Sequence, residues 1–88
     1  MDVEVGPLSR KVLKQILDDR HVDANAYGLT GGHPSEAYVL DDRKSHWVVF
    51  YSERGLETGL RRFADEDHAC RYLLGLLLSD VSTRRAES

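Results

Sequence analysis

Apolar residues recur at helical spacing near the start of the chain. One face of a helical projection collects Leu8, Val12, Leu13, Ile16 and Leu17. Charged residues occupy the opposite face, which is typical of an amphipathic helix. Pro7 precedes the pattern and suits the first helical position, where its missing N–H costs nothing. The pattern therefore predicts a helix over residues 7–20.

Two runs rich in β-branched and aromatic residues follow, at residues 37–40 and 46–51. This composition favours strands, and the polar link at residues 41–45 has the length of a hairpin connection. The second run has few polar residues, so we expect both of its faces to be at least partly covered. Residues 52–59 contain two glycines and predict a loop. Residues 60–63 predict a short third strand.

A second helix is predicted over residues 65–79, with Asp65 as its N-cap. Its apolar residues spread over most of its circumference. We expect one face to pack on the sheet, near Trp47 and Val49. Another face, with Leu74 and Leu78, would contact the first helix or a second copy of the chain. 

Gly75 lies in the middle of this predicted helix. Glycine lowers helix stability relative to alanine, because it has more backbone freedom to lose on folding. We therefore expect another element to approach Gly75 closely and to compensate for that cost.

The order of elements is helix, strand, strand, strand, helix, with short connections. Such connections predict a three-stranded antiparallel meander, because consecutive strands usually become neighbours. Two helices packed against that sheet make a two-layer α+β domain. The prediction is one domain over residues 1–80 and a flexible tail over residues 81–88, which have no apolar pattern.

Cysteine and histidine usage gives no sign of a metal or cofactor site. Cys70 is the one cysteine among the 88 residues, which excludes an intramolecular disulfide and disfavours a cysteine zinc site. We expect Cys70 to be a small apolar filler of the core. The four histidines have no metal-ligand spacing. Without a nucleophile elbow or an oxyanion-hole signature as well, we expect no enzyme activity.

Charge and hydropathy restrict the partners further. The α-β-β-β-α order resembles the topology of double-stranded-RNA-binding domains, but the predicted last helix starts with Asp65, Glu66 and Asp67, which would repel phosphate. The formal net charge of −3 also disfavours nucleic-acid binding. Neither a membrane-spanning run nor a signal peptide is recognisable. A cytoplasmic protein without a membrane partner is the expectation.

Residues 51–55, Tyr-Ser-Glu-Arg-Gly, form the most distinctive stretch. Tyrosine and arginine at a strand end are residue types enriched at interface hot spots, which points to Tyr51, Glu53 and Arg54 as partner-binding residues. A second group of candidates consists of the carboxylates that would steer a basic partner: Glu36, Asp41 and Asp42. A hairpin loop with solvated charges remains the alternative interpretation of this stretch.

Residues 26–38, 47–55 and 63–73 together carry a resemblance to a protein family. The Tyr-Ser-Glu-Arg-Gly stretch and the Phe-x-x-Glu-x-x-Ala-Cys start of the last helix carry most of it. They resemble small bacterial immunity proteins of polymorphic or contact-dependent toxin systems. The resemblance implies a non-catalytic cytoplasmic protein that binds and neutralises a cognate toxin domain. If that toxin is a nuclease, acidic residues would mimic phosphate in its basic cleft. The alternative function is a homodimeric structural or regulatory interaction domain that pairs through the last helix.

Overall fold

The first helix begins at Arg10, after the N-cap residue Ser9, and not at Pro7. The computed structural model describes residues 7–80 and places helix α1 at Arg10–Asp19. The Ser9 hydroxyl accepts a hydrogen bond from the Val12 amide at 3.3 Å, and this cap fixes the start of the helix. The predicted helix is confirmed, whereas its predicted ends at residues 7 and 20 are corrected.

The sheet contains the predicted antiparallel meander of three strands and one additional short strand. The strands are β1 at Tyr27–Gly28, β2 at Ala37–Asp42, β3 at Trp47–Glu53 and β4 at Leu56–Phe63. They make one sheet in the order β1-β2-β3-β4, with β2, β3 and β4 antiparallel. Strand β1 pairs parallel with β2, which corrects the expectation of a purely antiparallel three-stranded sheet. Two residues are too few to show a period of two, so the sequence pattern contained no signal for β1.

The connection between β3 and β4 is a two-residue turn. Arg54 and Gly55 have φ values of 53° and 80°, and positive φ at both central residues is the mark of a type I′ hairpin turn. Such a turn matches the twist of the two strands that it joins. The predicted loop over residues 52–59 is therefore wrong, since β3 continues to Glu53 and β4 begins at Leu56.

Gly59, the other glycine of the predicted loop, forms a β-bulge inside β4. The register between β3 and β4 shifts between Val49 and Tyr51, so Gly59 and Leu60 together lie opposite Phe50. Gly59 has a φ of 64°, as expected for the first residue of a glycine bulge. The two glycines thus shape a long hairpin, and neither marks a loop.

Both faces of the sheet are covered, as the apolar composition of β3 predicts. Leu40 and Val49 belong to the main core, together with the buried residues of both helices. The residues adjacent to Leu40 and Val49 in these strands point to the opposite face of the sheet. There, Val39, Val48 and Phe50 form a second, smaller cluster, and each is at most 1% exposed.

Residues of the surrounding connections cover this second cluster. The His33 ring lies 6.0 Å from the Phe50 ring, and the Arg43 guanidinium lies 5.7 Å from it. Glu57 links the two, because its Oε2 atom lies 2.9 Å from His33 Nε2 and 2.8 Å from Arg43 Nη2. Arg43 Nε also donates to Asp41 at 2.8 Å. Charged side chains thus form a connected layer above an apolar cluster.

The same contacts predict a pH dependence of stability. The hydrogen bond with His33 and the ion pair with Arg43 hold the pKa of the Glu57 carboxyl below its usual value of 4.5. A carboxyl whose pKa is lower in the folded state stabilises the fold above its unfolded-state pKa, and this contribution is lost as the pH falls through the folded-state pKa. We expect Glu57→Gln to lower the melting temperature at neutral pH, with a difference from wild type that shrinks below about pH 4.5. Thermal unfolding across that range checks this, and a difference that stays constant would contradict it.

Helix α2 spans Glu66–Ser79, and the Asp65 carboxylate accepts a hydrogen bond from the His68 amide at 2.9 Å. The predicted N-cap is thereby confirmed. Cys70 is fully buried in the main core, as expected of an apolar filler. Burial raises the pKa of its thiol to about 11, so the sulfur stays protonated and unreactive at neutral pH.

The packing of α2 follows the prediction for one of its faces. Trp47 and Val49 lie in the same apolar cluster as this helix. Leu74 and Leu78 are partly buried against that cluster within a single chain, and α1 contacts α2. Within residues 7–80, neither helix is long and apolar enough to cross a membrane. The predicted tail at residues 81–88 lies outside the described residues.

Within residues 7–80, no other element approaches Gly75 closely, contrary to the expectation from the sequence. A Cβ atom placed on it would meet none of their atoms within 4 Å outside its own helix backbone, and the residue is exposed. We expect Gly75→Ala to raise the free energy of unfolding by about 0.5–1 kcal/mol, because alanine is the better helix former. Urea denaturation measures the difference. A loss of stability would instead indicate that another surface packs on this position.

Candidate partner-binding cleft

A cleft of about 260 Å³ opens where one end of the sheet meets the end of α2. Several elements contribute to its wall, because the 3-10 helix at Ala24–Ala26, the turn before β2 and the residue after α2 all reach this end. The lining residues are Asp23, Asn25, Ala26, Glu36, Tyr38, Tyr51 and Asp80. Strands β2 and β3 supply the aromatic part of the lining, and the connections supply the carboxylates.

Tyr38 and Tyr51 form the aromatic wall of the cleft. They are direct partners across β2 and β3, and their rings meet edge to face with centroids 4.9 Å apart. This geometry suits the quadrupoles of two aromatic rings. The Tyr38 hydroxyl also donates a hydrogen bond to Asp80 Oδ2 at 3.2 Å. The pair is thus fixed both to the sheet and to the end of α2.

Negative charge surrounds the two tyrosines. Burial raises the pKa of the Tyr38 hydroxyl, and its hydrogen bond to Asp80 adds to the increase. Burial also raises the pKa of Tyr51, followed by the carboxylates of Glu36 and Glu53. Both hydroxyls therefore stay neutral at physiological pH. The Tyr38 hydroxyl donates its hydrogen to Asp80, and the Tyr51 hydroxyl is available as a donor.

The end of α2 adds to this negative potential. Asp80 is the C-cap residue, and the last turn of the helix contains no basic side chain. A helix C-terminus carries a partial negative charge and favours cations, so a carboxylate there is electrostatically unfavourable. Among residues 7–80, the lining contains three carboxylates and no lysine or arginine. A cation is the charge that such a cleft would stabilise.

The sheet register divides the six predicted site residues into two groups. Ala37 pairs with Ser52, and the neighbouring positions Glu36 and Glu53 extend the same end, beside Tyr51. Arg54 follows in the turn after β3. These four residues therefore share one end of the sheet, as the sequence interpretation requires.

Asp41 and Asp42 lie at the opposite end, which corrects their expected place beside the other four residues. They pair with Val48 and Trp47, respectively. Six residues of strand correspond to about 20 Å, so Asp42 is far from Glu36. The sequence interpretation treated both ends of one hairpin as a single acidic surface, although a strand of this length separates them.

The two groups also differ in what their polar atoms already contact. Asp41 is paired with Arg43, and the Asp42 carboxylate accepts a hydrogen bond from the Lys44 amide at 2.8 Å. Both carboxylates thus have local structural roles. Within residues 7–80, the side chains of Glu36, Glu53 and Arg54 and the hydroxyl of Tyr51 have no hydrogen-bond or ion-pair partner. Asp80 differs from them, because its carboxylate accepts a hydrogen bond from Tyr38. Four uncommitted polar groups at one end are what a partner surface needs.

Sequence reasoning missed five lining residues: Asp23, Asn25, Ala26, Tyr38 and Asp80. The sequence did contain a signal for Tyr38. An antiparallel hairpin with its link at residues 41–45 places a residue of the first strand opposite Tyr51, and Tyr38 is the aromatic residue of that strand. Asp23 and Asp80 come from positions before β1 and after α2, so only the tertiary fold brings them together.

A second carboxylate cluster lies at the start of α2. Ligand atoms of Asp65, Asp67 and His68 lie within 4.8 Å of one another. Their contacts have structural roles, since Asp65 caps the helix and Asp67 accepts a hydrogen bond from the Leu8 amide at 2.7 Å. The first of these contacts holds the pKa of Asp65 below its usual value. The cluster therefore fixes the helix start and the segment before α1.

Comparisons with protein-family models, with curated proteins and with solved structures find no match to this chain.

Proposed function

We propose that this chain is a non-catalytic immunity protein that binds one toxin domain and neutralises it. The resemblance described for the sequence motivates the proposal. The observation that carries it is the group of four uncommitted polar side chains, Glu36, Tyr51, Glu53 and Arg54, at one end of the sheet. Glu36 and Tyr51 also line the acidic cleft at that end. The partner surface would consist of these four residues together with Tyr38 and Asp80.

The chemistry of this end suits recognition of a basic protein surface. A half-buried tyrosine held by a second tyrosine supplies rigid contact area at low entropic cost. Carboxylates around it steer a positively charged partner and accelerate its encounter. If the toxin is a nuclease, its cleft for phosphate is basic, and the carboxylates would take the place of phosphate groups.

Arg54 offers a test of whether this end of the sheet serves binding rather than stability. It occupies the first central position of the hairpin turn with a φ of 53°, where asparagine is strongly preferred. Arg54→Asn is expected to leave stability unchanged or to raise it, since asparagine tolerates the left-handed region better. A binding role predicts that the same variant weakens the toxin complex.

The direct experiment requires a toxin-like domain encoded next to the gene for this chain as the candidate partner. The toxin domain is expressed in a bacterial host with and without this protein, and growth is measured. We expect wild type to restore growth and Glu53→Lys, confirmed as folded by circular dichroism, to lose that protection. Failure of wild type to protect, together with the absence of a complex by titration calorimetry, would contradict the proposal.

A homodimeric interaction domain is the alternative function. Its proposed contact residues, Leu74 and Leu78, are partly buried against the core of their own chain, which reduces the apolar area available to a second copy. The mass of the protein in solution separates the two functions. A stable dimer that Leu74→Asp dissociates without unfolding would favour the alternative.

A further inference from the structure

We propose that the cleft between Tyr51, Glu36 and Asp80 receives a single arginine side chain of the partner. The inference rests on the proposed function to the extent that the partner is a protein. It goes beyond that function because it names the chemical group that the cleft binds.

The size of the cleft indicates one side chain rather than a small-molecule ligand. Its volume of about 260 Å³ lies below the range of about 300–1,000 Å³ that is typical of sites for drug-sized molecules. The cleft is also open to solvent, so a side chain on a partner surface can enter it.

The lining selects a cation that also has a flat face. Tyr38 and Tyr51 supply aromatic surface, and a cation close to such a ring is attracted by its quadrupole. Carboxylates of Asp23, Glu36 and Asp80 surround the same space. Each comes from a different part of the chain, so they present acceptors from several directions.

The arrangement favours arginine over lysine. A guanidinium carries five N–H donors in a planar fork, stacks on aromatic rings and gives up its hydration more easily than an ammonium group. The unpaired Glu36 carboxylate offers a bidentate acceptor, and the C-terminus of α2 adds negative potential at the Asp80 end. An ammonium has three donors around one point and cannot reach this many separated acceptors.

The test is a titration of the full-length, isotope-labelled protein followed by NMR. The probes are N-acetyl-arginine amide, N-acetyl-lysine amide and N-acetyl-citrulline amide, and citrulline keeps the shape of arginine without its charge. We expect the arginine probe to shift the ring resonances of Tyr38 and Tyr51 and the amide of Glu36 saturably, with a dissociation constant in the millimolar range. The lysine probe is expected to bind several-fold more weakly, and the citrulline probe not at all.

Two matched variants test whether the arginine probe binds at the cleft. Glu36→Gln removes one charge from the cleft and is expected to weaken binding of the arginine probe about tenfold. Asp42→Asn removes the same charge at the far end of β2, keeps an acceptor for the Lys44 amide and is expected to leave binding unchanged. Equal binding of arginine and citrulline, equal binding of arginine and lysine, or equal effects of the two variants would overturn the proposal.

These outcomes separate the two proposals. Saturable binding of the arginine probe at the cleft supports this inference even if no toxin partner is neutralised. If wild type protects against the toxin but the probe shifts no cleft resonance, the proposed function stands and this inference fails.

Discussion

Phe50→Ala is expected to lower the free energy of unfolding by about 3–5 kcal/mol, the usual cost of truncating a buried phenylalanine. Phe50 is 1% exposed and is the largest member of the cluster that it forms with Val39 and Val48. His33 and Arg43 lie against its ring, so the truncation also removes the surface on which the charged layer rests. Guanidinium denaturation followed by circular dichroism measures the loss.

Leu56→Ala is the matched control, because Leu56 is 64% exposed. Its truncation is expected to change the free energy of unfolding by no more than about 0.5 kcal/mol. A loss of less than about 1 kcal/mol for Phe50→Ala would mean that the face of the sheet remote from the helices is not a packed core.

Glu36→Lys is expected to weaken the complex with the toxin domain by about 2–5 kcal/mol, because it removes one carboxylate and places a cation in the acidic cleft. The change should leave the fold intact. Glu36 is exposed with a φ of 52°, and Lys44 has a φ of 73° in another turn of the same chain, so lysine is tolerated in this backbone conformation. Titration calorimetry measures the affinity, and thermal unfolding serves as the folding control.

Asp42→Lys makes the same charge change about 20 Å along β2. It is expected to slow association slightly and to leave the dissociation rate close to that of wild type, as for a charge outside the contact area. If both lysine variants weakened the complex equally, net charge rather than the cleft would account for binding.

The periodic elements were predictable because their patterns are long. The amphipathic face of α1 and the N-cap of α2 are local features, and both are confirmed. The antiparallel pairing of β2, β3 and β4 followed from short connections. Local turn chemistry was harder, since Gly55 and Gly59 predicted a loop, whereas one completes a tight turn and the other forms a bulge within β4.

The candidate site was only partly predictable, for a geometric reason. Tyr51, Glu53 and Arg54 are adjacent in sequence, so their grouping required no knowledge of the tertiary fold. The β2–β3 register places Glu36 at the same end of the sheet as these three residues, and it places Asp42 at the opposite end. Asp80 reaches the cleft through the packing of α2 on the sheet, and no sequence pattern predicts that Asp80 lies close to Tyr38 and Tyr51.

Binding of the partner at the cleft end of the sheet is tested by chemical-shift mapping. The isotope-labelled protein is titrated with a toxin-like domain encoded next to its gene. We expect the largest shifts at the amides of Glu36, Tyr51, Glu53 and Arg54, and little change at those of Asp41 and Asp42. Largest shifts on α1 or at the Asp42 end of the sheet, with the amides of those first four residues unchanged, would show that the partner binds elsewhere.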